Sequence, residues 1–506
     1  TGLSGNQDRI AVIDVGSNTV RMVIYGGPER APVPMLNERS FCKLGAGIAE
    51  TGRLNPVGVE NAVHTISRFA NICSDLGVSK VKAFATSAVR DAEDGRAFRK
   101  RVRQESGIKL KILSGPEEAE MAAFGVLLGT PGARGVVGDL GGGSLEFARL
   151  NGRVADNLLS LPVGPLRFAD IGDLDDIHTA VAEELNSVEW LEDSKGQDLF
   201  LVGGTWRTIA KMQMWSTRHP LNVVDHYEMD PQKAMEFARH LSRQSIETLD
   251  EMDGASAKRS YAIPVAAVVM QQIIQTMQPR RLLFSACGAR EGVLYDRMPA
   301  NVRKKDPLIV MARHMAKTEV RFRTLGDTLE HWIGPLFPGM SPEMCRLRHA
   351  ACILADIGWQ MHPDYRAGQT FRRIFRAPFL GVTHAERAFI ALSVMRRYSA
   401  KSSGDAIKSA LGLVSDDWAK SASQIGAALR FALTYCGGAP GLIEHLTLRR
   451  VGDVIQVDLP PEGGLEIGET ATLRLEQLAE VMGCTLALGK EPEKTIHAPT
   501  RKTEKV

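Results

Sequence analysis

Long apolar runs, clustered cysteines and a surplus of charge are all missing from this sequence, and each absence narrows what the chain can be. No uninterrupted apolar stretch reaches the roughly 20 residues that a membrane-spanning helix needs. The seven cysteines, at positions 42, 73, 287, 345, 352, 436 and 484, never form a CxxC pair. An odd, dispersed set points to reduced thiols in a cytoplasmic protein, and away from a disulfide framework or a zinc site. Each reads most simply as a small buried hydrophobe. The formal net charge of +3 over 506 residues is too small for a global attraction to nucleic acid or to a membrane surface. The N-terminus, TGLSGNQDR, has neither the apolar core of a signal peptide nor a starting methionine, which points to a processed or trimmed chain. A hydrophobic share of 44% is ordinary for a globular protein, and the length suits about three domains.

What is present is concentrated in residues 135–150, GVVGDLGGGSLEFARL. An apolar run ends on Asp139. Gly141, Gly142, Gly143 and Ser144 follow, then Glu146, after which alternation resumes. The pattern is strand, tight turn, strand. With no side chains in the way, the turn's N–H groups can approach an oxyanion closely. Asp139, at a strand end, is placed to hold a hard cation beside it. An untidy hairpin is the plain alternative, but three consecutive glycines exceed what a hairpin turn requires. Residues 9–25, RIAVIDVGSNTVRMVIY, repeat the shape about 125 residues earlier. Asp14 and Gly16 fall on Asp139 and Gly141, and the turn Ser17-Asn18-Thr19 falls on Gly142-Gly143-Ser144. A repeat of this kind implies a duplicated domain, with two turns able to clamp a phosphate chain and its metal.

Between and beyond the two hairpins, strands and helices alternate to about residue 300. Asn55 and Pro56 start a helix over 56–76. Strand 80–85 leads into Thr86, Ser87 and Arg90, at the end where α/β proteins place ligands. Arg90 could bind phosphate bidentately or be an exposed charge. A basic helix (96–106) and a strand (108–113) precede Ser114-Gly115-Pro116-Glu117-Glu118. Glu117 has capping-box spacing from Ser114, and Glu118 reads as another first-turn acid. Strand 153–161, helix 175–192, strand 198–204, helices 231–245 and 257–278 and strand 281–286 follow. Gly203-Gly204-Thr205, at a strand-to-helix turn, is a further candidate phosphate cradle. Residues 306–435 read as helical, 442–483 as a β-rich tail, and 487–506 as polar and disordered.

Seven of these segments together resemble the exopolyphosphatase / guanosine pentaphosphate phosphohydrolase (Ppx/GppA) family: IDVGSNTVRMVIY, ATSAVRDA, SGPEEAE, VGDLGGGSLEF, SLPVGPLRF, LVGGTWRTIA and FSACGAREGVLYD. The resemblance implies an α/β protein with two ribonuclease-H-like halves of the actin–Hsp70–sugar kinase type, 1–132 and 133–303. A mainly helical, HD-like extension, 304–506, follows. It also implies roles. Glu118 would be the general base and Glu146 a second catalytic acid. Asp14 and Asp139 would be associated with Mg2+. Ser17, Asn18, Arg90, Gly141, Gly142, Gly143, Ser144, Gly203, Gly204 and Thr205 would bind phosphate. A cytoplasmic homodimer acting on inorganic polyphosphate or guanosine pentaphosphate, with no specific nucleic acid and no membrane, is the implied whole.

Two departures from the family pattern stand out. Leu145 replaces a usual threonine, and on a strand it should face away from Ser144 and Glu146. The stretch LADIG (354–358) has Ala355 where an HD site needs histidine before Asp356, so a second metal centre is not expected there. Basic residues of the extension, Arg346, Arg348, Arg366, Arg372, Arg373, Arg396, Arg397 and Lys401, are candidates to hold polyphosphate, or are solvated helix faces. The leading expectation is an Mg2+-dependent exopolyphosphatase. The alternatives are a guanosine pentaphosphate 5′-phosphohydrolase, an alarmone-sensing regulator with little turnover, and a kinase of the same fold group.

Overall fold

In the computed structural model residues 9–168, 173–399, 404–458, 467–489 and 495–496 are described. The chain divides into two compact units, Thr1–Asp306 and Pro307–Val506. The expected disorder of 487–506 and the candidate Lys401 fall mostly or wholly outside the described residues.

The first unit holds two sheets. One contains β1 (Ile10–Val15), β2 (Thr19–Gly26), β3 (Val33–Phe41), β4 (Lys80–Ala85) and β5 (Leu110–Ile112), in the order β3-β2-β1-β4-β5. The other contains β6 (Arg134–Leu140), β7 (Leu145–Asn151), β8 (Val154–Leu161), β9 (Asp198–Val202), β10 (Tyr227–Met229) and β11 (Arg281–Phe284). Read from β8, its order is β8-β7-β6-β9-β11-β10. The two orders match strand for strand, with β10 as an addition. In both, the first three strands are antiparallel and the next two run parallel to the first. The duplication read from two hairpins therefore extends over both sheets.

Local sequence explains the elements well. Ile10–Val15 and Asp198–Val202 are apolar and nearly all buried, as central strands covered on both faces must be. The side chain of Asn55 caps the helix Pro56–Asp75 by accepting from the Gly58 N–H. Ser114 and Glu117 form the expected capping box on the helix Gly115–Gly129. Leu145 is fully buried in the apolar core of the second sheet, away from the turn.

Several expected boundaries move. The helix read over 175–192 stops at Asn186 and gives way to a 3-10 turn, Glu189–Ser194. The helix read over 257–278 begins only at Ile263, with Pro264 in its first turn, where proline's missing N–H costs nothing. The residues before it, 257–262, form a loop and a short 3-10 turn. The β-rich tail contains β12 (Thr447–Val451) and β13 (Val454–Asp458), but Glu469–Met482 is a helix. Its Leu475, Leu478, Ala479 and Met482 bury one face, and Gly483 closes it in the left-handed region at φ 66°.

One crossing brings the halves of the first unit together. The helix Gly115–Gly129 follows β5, and the helix Ala289–Arg297 occupies the matching position after β11. A Cβ on Gly292 would lie 1.8 Å from the Met121 carbonyl oxygen, and one on Gly125 would lie 2.2 Å from that of Gly288. Glycine at both positions lets the two backbones touch. The starts of both helices then face one cleft.

The second unit is helical over Pro307–Glu319, Leu325–Ile333, Pro342–Ile353, Pro363–Phe375, His384–Tyr398 and Asp416–Tyr435. A small sheet follows, with β13 and β14 (Thr485–Leu488) parallel and joined through the helix Glu469–Met482. No described helix is long and apolar enough to cross a membrane.

Candidate active site

Between the two sheets of the first unit lies a cavity of about 200 Å³. Asp14, Ser17, Asn18, Glu118, Asp139, Gly141, Gly142, Gly203, Gly204 and Thr205, all expected from the sequence, line it. Gly143, Ser144, Glu146 and Arg90 do not.

The two Asp-x-Gly turns have the same backbone geometry. The Gly16 N–H donates to the Thr19 carbonyl at 3.0 Å, and the Gly141 N–H to the Ser144 carbonyl at 2.9 Å. Ser17 and Ser87 share a hydrogen bond of 3.1 Å between hydroxyls, and Asn18 Nδ2 donates to the Tyr261 hydroxyl at 2.9 Å. Gly203 precedes the helix Gly204–Ser216 with φ 112°, and a Cβ there would lie 2.4 Å from the Leu140 carbonyl. Only glycine fits, and its turn aims a helix N-terminus at the cavity. Ser144 is buried in the second turn.

Six cations line the same cavity: Arg21, Arg39, Arg207, Lys258, Arg259 and Arg290. None was singled out from sequence as a phosphate ligand. They outnumber the three lining carboxylates, Asp14, Glu118 and Asp139. Burial, then Arg290 and Arg207, push the Arg21 pKa down to about 10. Burial, then Arg207 and Arg39, do the same to Arg259. Cations that destabilise one another in an open cleft make a site built for a polyanion. Arg207 is held by two carbonyls, those of Gly203 (2.9 Å) and Ala286 (3.1 Å), so it is oriented without a direct carboxylate partner among the described residues. A sequence signal existed for one of them. Asp14 pairs across the ladder with Arg21 as Asp139 pairs with Glu146, so the internal repeat sets Arg21 opposite a suspected catalytic position. Arg259 carries no such signal, because the loop holding it reads as helix.

The acids fall into two pairs. Glu118, buried, accepts from Arg90 Nη1 at 2.8 Å. Burial and the nearby Glu146 charge raise its pKa well above the usual carboxylate value, against the pull of Arg90. Arg90 is thus the partner of the candidate base and is not among the residues that line the cavity. A carboxylate taken out of water needs a counter-charge, and Arg90 on the short helix Ser87–Asp91 supplies it. Glu146 is fully buried, accepts from Ser160 Oγ at 2.7 Å, and is raised to about 7 by burial and the Asp139 charge.

Asp139 is raised to about 6 by burial and by Asp14, with Arg207 opposing. Asp14 accepts from Arg290 Nη1 at 2.7 Å. Among the described residues no group of three or more His, Cys, Asp or Glu side chains forms a metal cluster. Mg2+ does not require one, because it usually takes one or two protein carboxylates and completes its shell with water and phosphate oxygens. Asp14 and Asp139, lining one cleft, fit that requirement.

The raised Glu146 pKa has a stability consequence. Folding favours its protonated form, so its contribution is fully present below about 4.5 and is lost as pH rises through about 7. Glu146→Gln keeps the shape without the charge. In metal-free buffer it should melt higher than wild type, by a margin that grows between pH 5 and 8. An equal margin at both ends would show that the carboxylate is not strained by burial.

The extension's basic residues are mostly occupied internally. Arg346 pairs with Glu386 (3.0 Å), Arg348 with Glu330 (2.7 Å) and Arg373 with Glu319 (2.7 Å). Arg366 donates to the carbonyls of Trp359 and Met361. Asp356 is buried and gripped by Arg321 at 2.8 Å and Arg397 at 3.3 Å. The expected polyphosphate track along these side chains is therefore largely spent on holding helices together.

Comparison with known proteins bears on the site. A family model described as the Ppx/GppA phosphatase family matches residues 23–301, and one described as exopolyphosphatase, C-terminal, matches residues 308–488. Exopolyphosphatase 1 of Mycobacterium tuberculosis is 27% identical over 302 residues, covering 56% of this chain and 87% of that protein. The guanosine-5′-triphosphate,3′-diphosphate pyrophosphatase of Photobacterium profundum is 22% identical over 448 residues, covering 84% of this chain and 86% of that one. The crystal structure of an exopolyphosphatase from Cytophaga hutchinsonii covers 57% of this chain and 96% of its own, at 25% identity and a TM-score of 0.53.

Proposed function

The chain belongs to the Ppx/GppA phosphatase family, and on that premise we propose that it is an exopolyphosphatase, hydrolysing the terminal phosphate of inorganic polyphosphate. The observation that carries the reading is the cleft itself. A buried glutamate with a raised pKa stands among anion-binding turns and six cations. Phosphoryl transfer needs positioning and charge neutralisation more than covalent help from the protein.

The turns at Ser17–Asn18, Gly141–Gly142 and Gly203–Thr205, with Arg207 and Arg259, hold the terminal phosphates. Glu118 takes the proton of the attacking water. Glu146, fixed by Ser160, adds a second negative charge near it as it ionises with rising pH and so raises its basicity. The shortened chain leaves. Mg2+ held by Asp139 and Asp14 would neutralise charge on the phosphate oxygens. The ribonuclease-H-like description of each half rests on the shared strand order. We extend the reading to an HD-like second unit, for which its helical content is the support. A homodimer in the cytoplasm completes the reading.

A second reading, removal of the 5′ phosphate of guanosine pentaphosphate, is favoured by the likeness to the Photobacterium profundum protein, which extends over both units. Phosphate release with Mg2+ should be compared for long-chain polyphosphate, guanosine pentaphosphate and ATP at several salt concentrations. No release from any of them overturns the enzyme. Release from the guanosine compound alone moves the second reading into first place.

The Arg90 pairing predicts a pH effect. Glu118 must be ionised to act, so kcat/KM rises with pH through its pKa. Arg90 opposes the raising of that pKa. Arg90→Gln should move the acid limb of the profile to higher pH, with less effect on the alkaline plateau. An unmoved limb with a raised KM would return Arg90 to phosphate binding.

A further inference from the structure

The second unit contains a cavity of about 410 Å³ that the proposed hydrolysis does not use. Four arginines line it: Arg366 from the helix Pro363–Phe375, Arg397 from His384–Tyr398, Arg430 from Asp416–Tyr435 and Arg474 from Glu469–Met482. Asp364 is the one carboxylate in the lining, and its side chain is 80% exposed.

The arginines are poorly neutralised. Among the described residues Arg397 alone has a carboxylate partner, Asp356, which it shares with Arg321. Its Nε is buried with no partner among the described residues. Arg366 is held by backbone carbonyls, and Arg474 donates to the Gln477 amide oxygen at 2.7 Å. Arg430 has no side-chain partner among the described residues. Arg397 lies over the Tyr398 ring at 3.9 Å, and Arg366 flanks the same ring at 5.8 Å. The ring fixes the two guanidiniums without cancelling their charge. Burial, then Arg474 and Arg397, lower the Arg430 pKa. Asp356, the one buried acid behind the site, is saturated by arginine and is not free to take a metal. Four helices thus converge four cations on one hollow whose lining carries a single, largely exposed carboxylate, with Arg397 alone paired to a buried acid behind it among the described residues.

We propose that this cavity is a second anion site, separate in its residues from the catalytic cleft, for the compact di- or triphosphate group of a small molecule. Bidentate guanidiniums match phosphoryl oxygens in planar pairs. The volume suits a ligand of nucleotide size.

The test is equilibrium binding of tripolyphosphate to the full chain by calorimetry in metal-free buffer. Wild type should show two classes of site. Arg207→Gln with Arg259→Gln, in the cleft, should leave the second class intact. Arg430→Gln with Arg474→Gln should weaken that class by at least about tenfold, the worth of one charge-assisted hydrogen bond. Circular dichroism and melting verify folding. If the glutamine pair misfolds, Arg430→Lys with Arg474→Lys keeps the charge but loses the planar fork, and should still bind several-fold more weakly. A single class in wild type overturns the proposal, as does unchanged affinity in a folded pocket variant. Equal binding of sulfate would reduce the site to a generic basic patch. Binding of long polyphosphate alone would make it a stretch of substrate track. Either result also overturns the proposal, and neither touches the hydrolysis reading, which phosphate release tests separately.

Discussion

Glu118→Gln should lower kcat for phosphate release by about a hundred- to ten-thousand-fold, the usual contribution of a positioned general base. KM should stay within a few-fold, because the six lining cations and the glycine turns are untouched. The substitution keeps the side chain's size and an acceptor for Arg90, which donates at 2.8 Å in wild type. It removes only the ionisable group. It should also flatten the acid limb of the pH profile, since the group that titrates there is gone. Fold loss is not expected, because a neutral amide is easier to bury than a carboxylate. Near wild-type turnover by a folded Glu118→Gln protein would remove the base from the mechanism. The next candidate would then be Glu146, whose pKa of about 7 also suits proton transfer.

Gly292→Ala should produce the largest structural effect. The new methyl would sit 1.8 Å from the Met121 carbonyl oxygen, and no flexible side chain intervenes. The helices must separate, which places the cost at or above the top of the ordinary overpacking range, about 3 kcal/mol. For a unit of about 300 residues that corresponds to a melting temperature lower by roughly 5 °C. Activity should fall too, because the two helices carry Glu118 and Arg290 at their starts. Gly368, in the helix Pro363–Phe375, has nothing within 4 Å of an added Cβ. Gly368→Ala is the control, and should be neutral or raise stability by up to about 1 kcal/mol. If both alanine variants melt like wild type, the close crossing does not exist in solution.

Much of the site was legible because its parts are local. An Asp-x-Gly turn closes through a hydrogen bond spanning three residues, as at Gly16–Thr19 and Gly141–Ser144. The capping box at Ser114 and Glu117 spans as little. Such signals survive in a single sequence. Most of the cation set did not: the repeat marks Arg21, but Arg207, Arg259 and Arg290 come from three further, separated segments and sit among ordinary local patterns. Arg259 was further hidden by the apolar periodicity of the helix that follows it. The arginines of the extension erred the other way. Their spacing could not show that Glu319, Glu330, Asp356 and Glu386 would meet them across helices.

Adjacent glutamates show where the division falls. Sequence determined that Glu117 and Glu118 open a helix, and that Ser114 would cap it. Tertiary structure decided which acid could do chemistry. Glu117 faces outward, where Lys111 and the Ser114 backbone hold its pKa down to about 2. Glu118 points inward, where burial and Glu146 push its pKa up. Hydrogen bonds to near neighbours in the chain act over a few residues and can be read along it. Desolvation and the field of distant charges depend on what the fold packs against a side chain, and no spacing along the chain records that.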